Sequence, residues 1–242
     1  MNAVLAYWSQ LGAEQAALLP ALALMQWWLR LGWGVVLGAL LIGVLAWLFR
    51  DLTLRTRTVA LRTTALLVLV SCSLPGAWSP SYWLGLAFQA PSLSAGAVSV
   101  LLLLRHGIAG QSVSAPAAEM LQQARRWAPL ALLLGWVLLL DTFAIWPLAL
   151  YPLGFGALVW VLLLVLALLP WAWYGGALRR NAAGLLWAAV LLLFATLRLS
   201  SGNVWDAMLD PWLWALCHGV CLVDGLRCYK KRSSMRIFRA GL

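Results

Sequence analysis

Seven apolar stretches, separated by short polar connections, divide most of this 242-residue chain. A helix rises about 1.5 Å per residue, so roughly 20 apolar residues cross the hydrocarbon core of a bilayer. The stretches reach or approach that length, and they predict an all-α fold, a polytopic transmembrane helix bundle of about seven spans. The predicted spans are Leu31–Phe49, Thr58–Leu74, Ser81–Leu104, Trp127–Pro147, Leu153–Tyr174, Ala182–Leu197 and Ala207–Leu226.

Composition argues against a water-soluble chain with the same pattern. Hydrophobic residues make up 64% of the sequence and charged residues 10%, whereas a soluble domain carries about 25% charged residues. The 17 Trp residues favour membrane interfaces, where an apolar ring with one N–H donor is well placed. The segment from Met1 to Gln15 contains no Lys or Arg, so we expect no cleavable signal peptide.

The positions of Lys and Arg predict the orientation of the spans, because cytoplasmic connections are enriched in these residues. Fifteen of the 17 follow the first, third, fifth or seventh span, and only Arg30 and Arg198 fall elsewhere. This alternation predicts an N-terminus outside and a C-terminus in the cytoplasm. The composition, rich in Leu, Ala, Trp and Arg, favours the inner membrane of a bacterium.

Three regions follow from this topology. Residues 1–30 are predicted to form an N-terminal interfacial helix or re-entrant segment, because the apolar run Ala16–Trp28 is short and contains Pro20. An additional span over residues 14–29 is the alternative. Residues 31–226 form the seven-helix transmembrane domain. Residues 227–242 form a basic cytoplasmic tail, suited to an anionic leaflet or to a cytoplasmic partner.

Most Trp residues map near the ends of the predicted spans and predict two aromatic belts that anchor the bundle. Those near the inner interface are Trp47, Trp127, Trp171 and Trp173. Those near the outer interface are Trp27, Trp28, Trp33, Trp78, Trp83, Trp146, Trp205, Trp212 and Trp214.

Polar residues inside the spans are candidate functional positions, because hydrocarbon disfavours them strongly. Five of them share a predicted depth near the outer mouth, and we expect an intramembrane polar cluster there. An unpaired carboxylate at Asp141 would be protonated or neutralised by a cation, and Pro91 leaves an earlier carbonyl without its helical donor. The alternative is an Arg198–Asp pair that joins helices. The cluster comprises Gln89, Asp141, Arg198, Asp206 and Asp210.

A second polar pattern follows the last predicted span. Asp206 and Asp210 begin a series of seven residues spaced by three or four, and such a series lies along one line of a helix. This polar face is expected to contact other helices rather than lipid, either as packing or as part of a functional site. Beyond the two Asp it comprises Trp214, Cys217, Cys221, Asp224 and Cys228.

Metal binding has only weak candidates. Cys217, His218 and Cys221 lie within one turn and resemble half of a zinc site, which needs four ligands. Their order differs from the C-x-x-C-H haem motif, and His106 is the only other His. We therefore expect no metal and no cofactor.

The sequence contains no P-loop, G-x-S-x-G or H-E-x-x-H motif, so we expect no enzyme. The basic residues form small clusters between apolar runs, which argues against nucleic acid.

Short connections and a basic tail favour a non-catalytic integral membrane subunit that scaffolds or helps form a transport, channel or envelope-biogenesis complex. Its expected partners are the lipid bilayer and other membrane or cytoplasmic subunits. The alternative is a self-sufficient small-molecule or lipid transporter, whose path is lined by Asp141 and the polar face of the last helix. A redox or membrane-enzyme subunit that uses Cys217, His218 and Cys221 is a third hypothesis.

Overall fold

Helices are the only regular secondary structure in the described part of the chain. The structure, a computed structural model, describes residues 19–51, 53–106, 111–145, 149–173 and 182–240, with the backbone alone at residues 111–116, 170–171, 173 and 231–240. Within these ranges it contains eleven α-helices, one 3-10 turn and no strand, so the predicted all-α fold is confirmed. The helices are α1 (Leu22–Leu48), α2 (Leu54–Ser73), α3 (Pro80–Phe88), α4 (Leu93–Arg105), α5 (Gln111–Arg125), α6 (Ala128–Thr142), α7 (Leu150–Leu153), α8 (Ala157–Trp173), α9 (Ala182–Leu197), α10 (Val204–Met208) and α11 (Pro211–Ala240); the 3-10 turn is Gly76–Trp78.

One helix among the described residues, α1, is long and apolar enough by itself to cross a membrane. Four shorter apolar helices of 10–17 residues occur in α4, α6, α8 and α9. Two predicted spans are divided by breaks, and α2 carries three Arg residues near its start. The seven-span arrangement therefore stays a prediction.

The first long helix begins earlier than the sequence pattern indicated. Helix α1 starts at Leu22, directly after Pro20 and the extended Ala21, rather than at Leu31. No Pro or Gly interrupts residues 22–31, so residues 22–30 continue into the helix and are not a separate segment. Residues 1–18, to which the rest of the interfacial or re-entrant prediction applies, lie outside the described residues.

The third predicted span is two helices, α3 and α4, with a break at residues 89–92. Pro91 has no N–H to donate and disfavours helical backbone in the residue before it. Gln89 ends α3 with a φ of 61°. Ser92 then starts α4 by accepting a hydrogen bond from Ala95 N at 3.0 Å, as N-cap residues do.

The last predicted span is also divided, so it is not one helix from Ala207. Leu209 is extended after α10, and Pro211 occupies the first position of α11, where its fixed φ and missing N–H suit a helix start. At its other end α11 continues to Ala240. Residues 227–240 of the predicted tail are therefore helical and continuous with the rest of α11.

Three apolar clusters hold the helices together. Phe194 and Val204, both fully buried, join α9 to α10. Trp33 of α1 packs with Leu213 of α11, and Ile42 of α1 packs with residues of α2. Many Leu and Val side chains on the outer faces stay more than half exposed.

Candidate functional site

The buried Asp210 carboxylate connects the starts of two helices. Its Oδ2 accepts a hydrogen bond from Ser92 N at 2.6 Å, and its Oδ1 accepts one from Leu213 N at 2.7 Å. Asp210 is only 9% exposed. A helix N-terminus has unpaired N–H groups and a partial positive charge, so one carboxylate stabilises the starts of both α4 and α11.

Two Trp residues of α1 satisfy the carbonyls at the same break. Trp28 Nε1 donates to Pro91 O at 2.7 Å, and Trp33 Nε1 donates to Gln89 O at 2.8 Å. Gly96 makes room for the Trp28 ring, because a Cβ there would lie 2.7 Å from it. Trp33 is 1% exposed, so its role is internal and its assignment to the outer aromatic belt is wrong. We call residues 89–92, Asp210, Trp28 and Trp33 the helix joint.

A second group of polar side chains surrounds Tyr151 on the short helix α7, and we call it the Tyr151 cluster. The Tyr151 hydroxyl donates to Asp206 Oδ2 at 2.7 Å, and the Ser201 hydroxyl donates to the same oxygen. Asn203 Nδ2 donates to Tyr151 O at 3.0 Å. Tyr151 N donates to Asp141 Oδ2 at 2.7 Å. Asp141, Tyr151, Ser201, Asn203 and Asp206 thus form one network.

Burial, followed by the hydrogen bond to Asp206, raises the pKa of Tyr151 above its ordinary value. The hydroxyl is therefore a stable proton donor at neutral pH. Asn203, which is fully buried, also starts α10 by accepting from Trp205 N at 3.0 Å. The cluster consequently fixes α6, α7 and α10 relative to one another.

Asp141 differs from the other carboxylates because one of its oxygens is unused. Its Oδ1 is buried and has no hydrogen-bond partner among the described residues. Asp141 also lines a pocket of about 530 Å³, together with Thr142, Ala149, Tyr151 and Pro152. A buried acceptor without a donor is costly, so this oxygen is suited to a ligand that supplies a cation, an amine or a hydroxyl.

The five residues of the predicted outer cluster do not form one group. Asp141 and Asp206 belong to the Tyr151 cluster, whereas Asp210 and the Gln89 carbonyl belong to the helix joint. The Arg198 guanidinium lies over the rings of Trp160 and Phe194, at 5.9 and 5.2 Å from their centroids. The described residues contain no Arg198–Asp ion pair.

The polar face of the last helix contacts α6 near the start of α11. Trp214 Nε1 donates to Leu132 O at 3.2 Å, and its ring meets that of Trp136 edge-on at 5.1 Å. Gly135 lies directly beneath the Trp214 ring, where any Cβ would clash with it. Glycine is therefore required at this contact.

Further along α11, the face contacts α5 and then becomes exposed. Arg125 Nε donates to Asp224 Oδ2 at 2.8 Å, and a second guanidinium nitrogen contacts the other oxygen. Cys217 is buried, Cys221 is partly buried and Cys228 is exposed. The predicted face thus combines helix packing, one ion pair and an exposed end.

His218 belongs to the aromatic contact rather than to a group of ligands. Its Nδ1 lies 2.9 Å from Trp214 O, and its ring meets Trp214 and Trp136. In the part of the chain that the structure describes, no three His, Cys, Asp or Glu residues lie together as a metal site would require.

Several residues of both clusters escaped the sequence analysis. Ser92 and Asn203 each precede a helix directly, which is the local signal of an N-cap. Tyr151 and Trp28 have no such signal, because their partners lie 55 and 63 residues away. Comparison of the chain with protein-family models, curated proteins and solved structures yields no match. Function is therefore inferred from these residues themselves.

Proposed function

We propose that the chain is a multi-pass integral membrane protein that serves as a non-catalytic subunit of a transport, channel or envelope-biogenesis complex. The observation that carries this proposal is the use of the Asp210 carboxylate, which binds backbone N–H groups of two helices. Asp206 and Asp224 are likewise bound to side chains of the same chain. Polar groups used in this way make a rigid scaffold and leave partners to supply chemistry.

Membrane insertion is supported by the hydrogen bonds that the backbone polar groups make where the helices are interrupted. Non-helical backbone at membrane depth is tolerated only where protein or water satisfies its polar groups, and Trp28, Trp33 and Asp210 do so at the helix joint. Helices α3 and α4 contain 9 and 13 residues. Their summed rise is about 33 Å, close to the thickness of the hydrocarbon core.

Reporter fusions test the proposed topology, in which seven spans cross the bacterial inner membrane. The N-terminus is outside and the C-terminus is in the cytoplasm. Alkaline phosphatase fused after Gly76 or Gly202 should be active, because both positions fall on the outer side. A fluorescent protein fused after Leu242 should fluoresce. Active phosphatase at the C-terminus would overturn this topology.

Affinity purification from native membranes tests the role as a subunit. The tagged full-length chain, extracted in mild detergent, should carry other proteins with it at a fixed stoichiometry. A stable chain that purifies alone and transports a solute in vesicles would refute the subunit proposal.

The unused Asp141 oxygen supports a second candidate, a self-sufficient small-molecule or lipid transporter. Its buried Oδ1 faces no donor in the described residues and lies beside the pocket at Tyr151. The test is solute flux or lipid scrambling in vesicles that contain only this chain. Asp141→Asn should abolish it, while Asp51→Asn at an exposed position should not. Absence of flux in the unmodified chain removes this candidate.

A further inference from the structure

A groove opens between α6 and α8, and we call it the lateral cleft. It has a volume of about 210 Å³, and its lining is almost entirely apolar. Trp127, directly before α6, and Ala131 and Leu134 of α6 form one wall. Leu163 and Ala167 of α8 form the other, and Leu213 of α11 also lines the cleft. Trp127 and Leu134 are seven residues apart, or about 10 Å along the helix axis.

The cleft exists because α6 and α8 pack on different neighbours. The principal contacts of α6 are with α11 and α7, whereas those of α8 are with α9. Trp214 holds α6 to α11 through Leu132 O. At Gly184 a Cβ would lie 2.6 Å from Ala167 O, so α9 approaches α8 closely. The two helix pairs therefore stand apart and leave a space between them.

The cleft is open to the outer surface of the protein. Leu130 and Leu166, on opposite walls, are 55% and 50% exposed. An empty apolar space loses dispersion contacts on its lining, and in a bilayer the available filler is a hydrocarbon chain. One acyl chain that enters from the side would restore those contacts.

Positive charge is in excess where the cleft ends at Trp127. Arg126 immediately precedes Trp127, is exposed and has no ion-pair partner among the described residues. Arg125 and Arg227 both contact the same carboxylate, Asp224. Arg125 and Arg227 thus share one carboxylate, and Arg126 adds a third guanidinium group without one, which favours an anionic group at this end.

We infer that the lateral cleft binds an acyl chain of an anionic phospholipid from the cytoplasmic leaflet, with its phosphate at Arg126. This inference rests on the proposed membrane topology, which puts the Trp127 end of α6 on the cytoplasmic side. The acyl chain lies against Ala131 of α6 and Ala167 of α8, which are both small and both line the cleft. Trp127 covers the end of the acyl chain that is nearest the headgroup.

Native mass spectrometry of the delipidated full-length chain tests the site, with phosphatidylglycerol and phosphatidylcholine added separately at equal concentration. The unmodified chain should retain one phosphatidylglycerol in preference to phosphatidylcholine. Ala131→Phe fills the cleft and should weaken retention about tenfold, since excluding two buried methylenes corresponds to that ratio. Ala215→Phe adds the same ring to an exposed position of α11 and should leave retention unchanged.

Arg126→Gln tests the binding of the lipid headgroup separately from the binding of the acyl chain. Because Arg126 is exposed, the substitution does not alter the protein core. It should reduce the preference for phosphatidylglycerol about fivefold, from the loss of one basic residue near a lipid phosphate. Equal retention in Ala131→Phe and Ala215→Phe overturns the cleft, and equal retention of both lipids by the unmodified chain overturns the anionic headgroup. Either result leaves the subunit proposal intact, whereas recovery of the chain without detergent in the soluble fraction overturns that proposal separately.

Discussion

The helix joint and the Tyr151 cluster both contain an aspartate at the end of a helix, but the surroundings of the two carboxylates differ. Asp210 precedes α11 and accepts one backbone N–H on each oxygen. Asp141 lies in the last turn of α6, where the helix dipole disfavours a negative charge, and one of its oxygens accepts nothing from the described residues. A satisfied carboxylate stabilises the fold, whereas an unsatisfied one beside a pocket is available to a ligand or partner.

Removing the Asp210 side chain is the strongest way to break the helix joint. Asp210→Ala leaves Ser92 N and Leu213 N without acceptors in a buried position, and hydrogen bonds to charged groups contribute about 1.5–3 kcal/mol each. We expect a loss of about 3–5 kcal/mol, measured by thermal unfolding in detergent. Asp51→Ala, at an exposed residue, is the control. A melting temperature that matches the control would show that the joint does not hold the fold.

The next largest loss of stability is expected when a backbone carbonyl of the helix joint loses its hydrogen-bond donor. Trp33→Phe keeps an aromatic ring but removes the donor to Gln89 O, and an unsatisfied buried carbonyl costs about 1–3 kcal/mol. Trp212→Phe, on a 40% exposed ring that packs against Trp33, should cost less in the same unfolding assay. The opposite order would mean that ring packing, rather than the hydrogen bond, stabilises the break.

The ion pair further along α11 is polar like the helix joint, but it is not deeply buried. Arg125 and Asp224 are 37% and 47% exposed, so solvent screens their attraction. A double-mutant cycle with Arg125→Gln and Asp224→Asn should give a coupling of about 0.2–1 kcal/mol. A coupling as large as the effect of Asp210→Ala would place a second structural centre at this pair.

The smallest expected effect is a pH dependence within the Tyr151 cluster. Because the folded-state pKa of Tyr151 is raised above the ordinary value of about 10, the stability it contributes is fully present below pH 10. It is lost as the pH rises from there towards the folded-state pKa. Tyr151→Phe should therefore flatten the decline in melting temperature between pH 9 and 11, relative to the unmodified chain. Parallel curves would indicate that this hydroxyl titrates normally.

The sequence predicted the helical class, since this depends on local properties of the chain. It placed Pro91 inside a single span with one unpaired carbonyl, whereas the structure ends α3 and begins α4 around it. It missed the break before α11, because the four-residue spacing of Asp206, Asp210 and Trp214 continues through it. The Asp210-Pro211 pair was a readable signal, since Asp favours an N-cap and Pro the first helical position.

The side chains that bind the backbone carbonyls at the helix joint could not be predicted. Trp28 and Trp33 lie 63 and 56 residues from the carbonyls that they satisfy. Only the packing of α1 against α4, with Gly96 beneath the Trp28 ring, brings these groups together. For the same reason, the shared depth of Asp141 and Asp210 did not mean a shared site.

Side-by-side unfolding of Asp210→Asn and Asp141→Asn tests the central distinction most directly. Both variants replace a carboxyl group with an amide of nearly the same shape, so they differ only in what surrounds the position. Asp210→Asn should lower the melting temperature by about 5 °C, as a loss of about 2 kcal/mol does in a chain of this size. Asp141→Asn should leave it within about 1 °C, because Tyr151 N still finds a carbonyl acceptor. An equal or larger fall for Asp141→Asn would mean that Asp141, rather than Asp210, is the structural carboxylate.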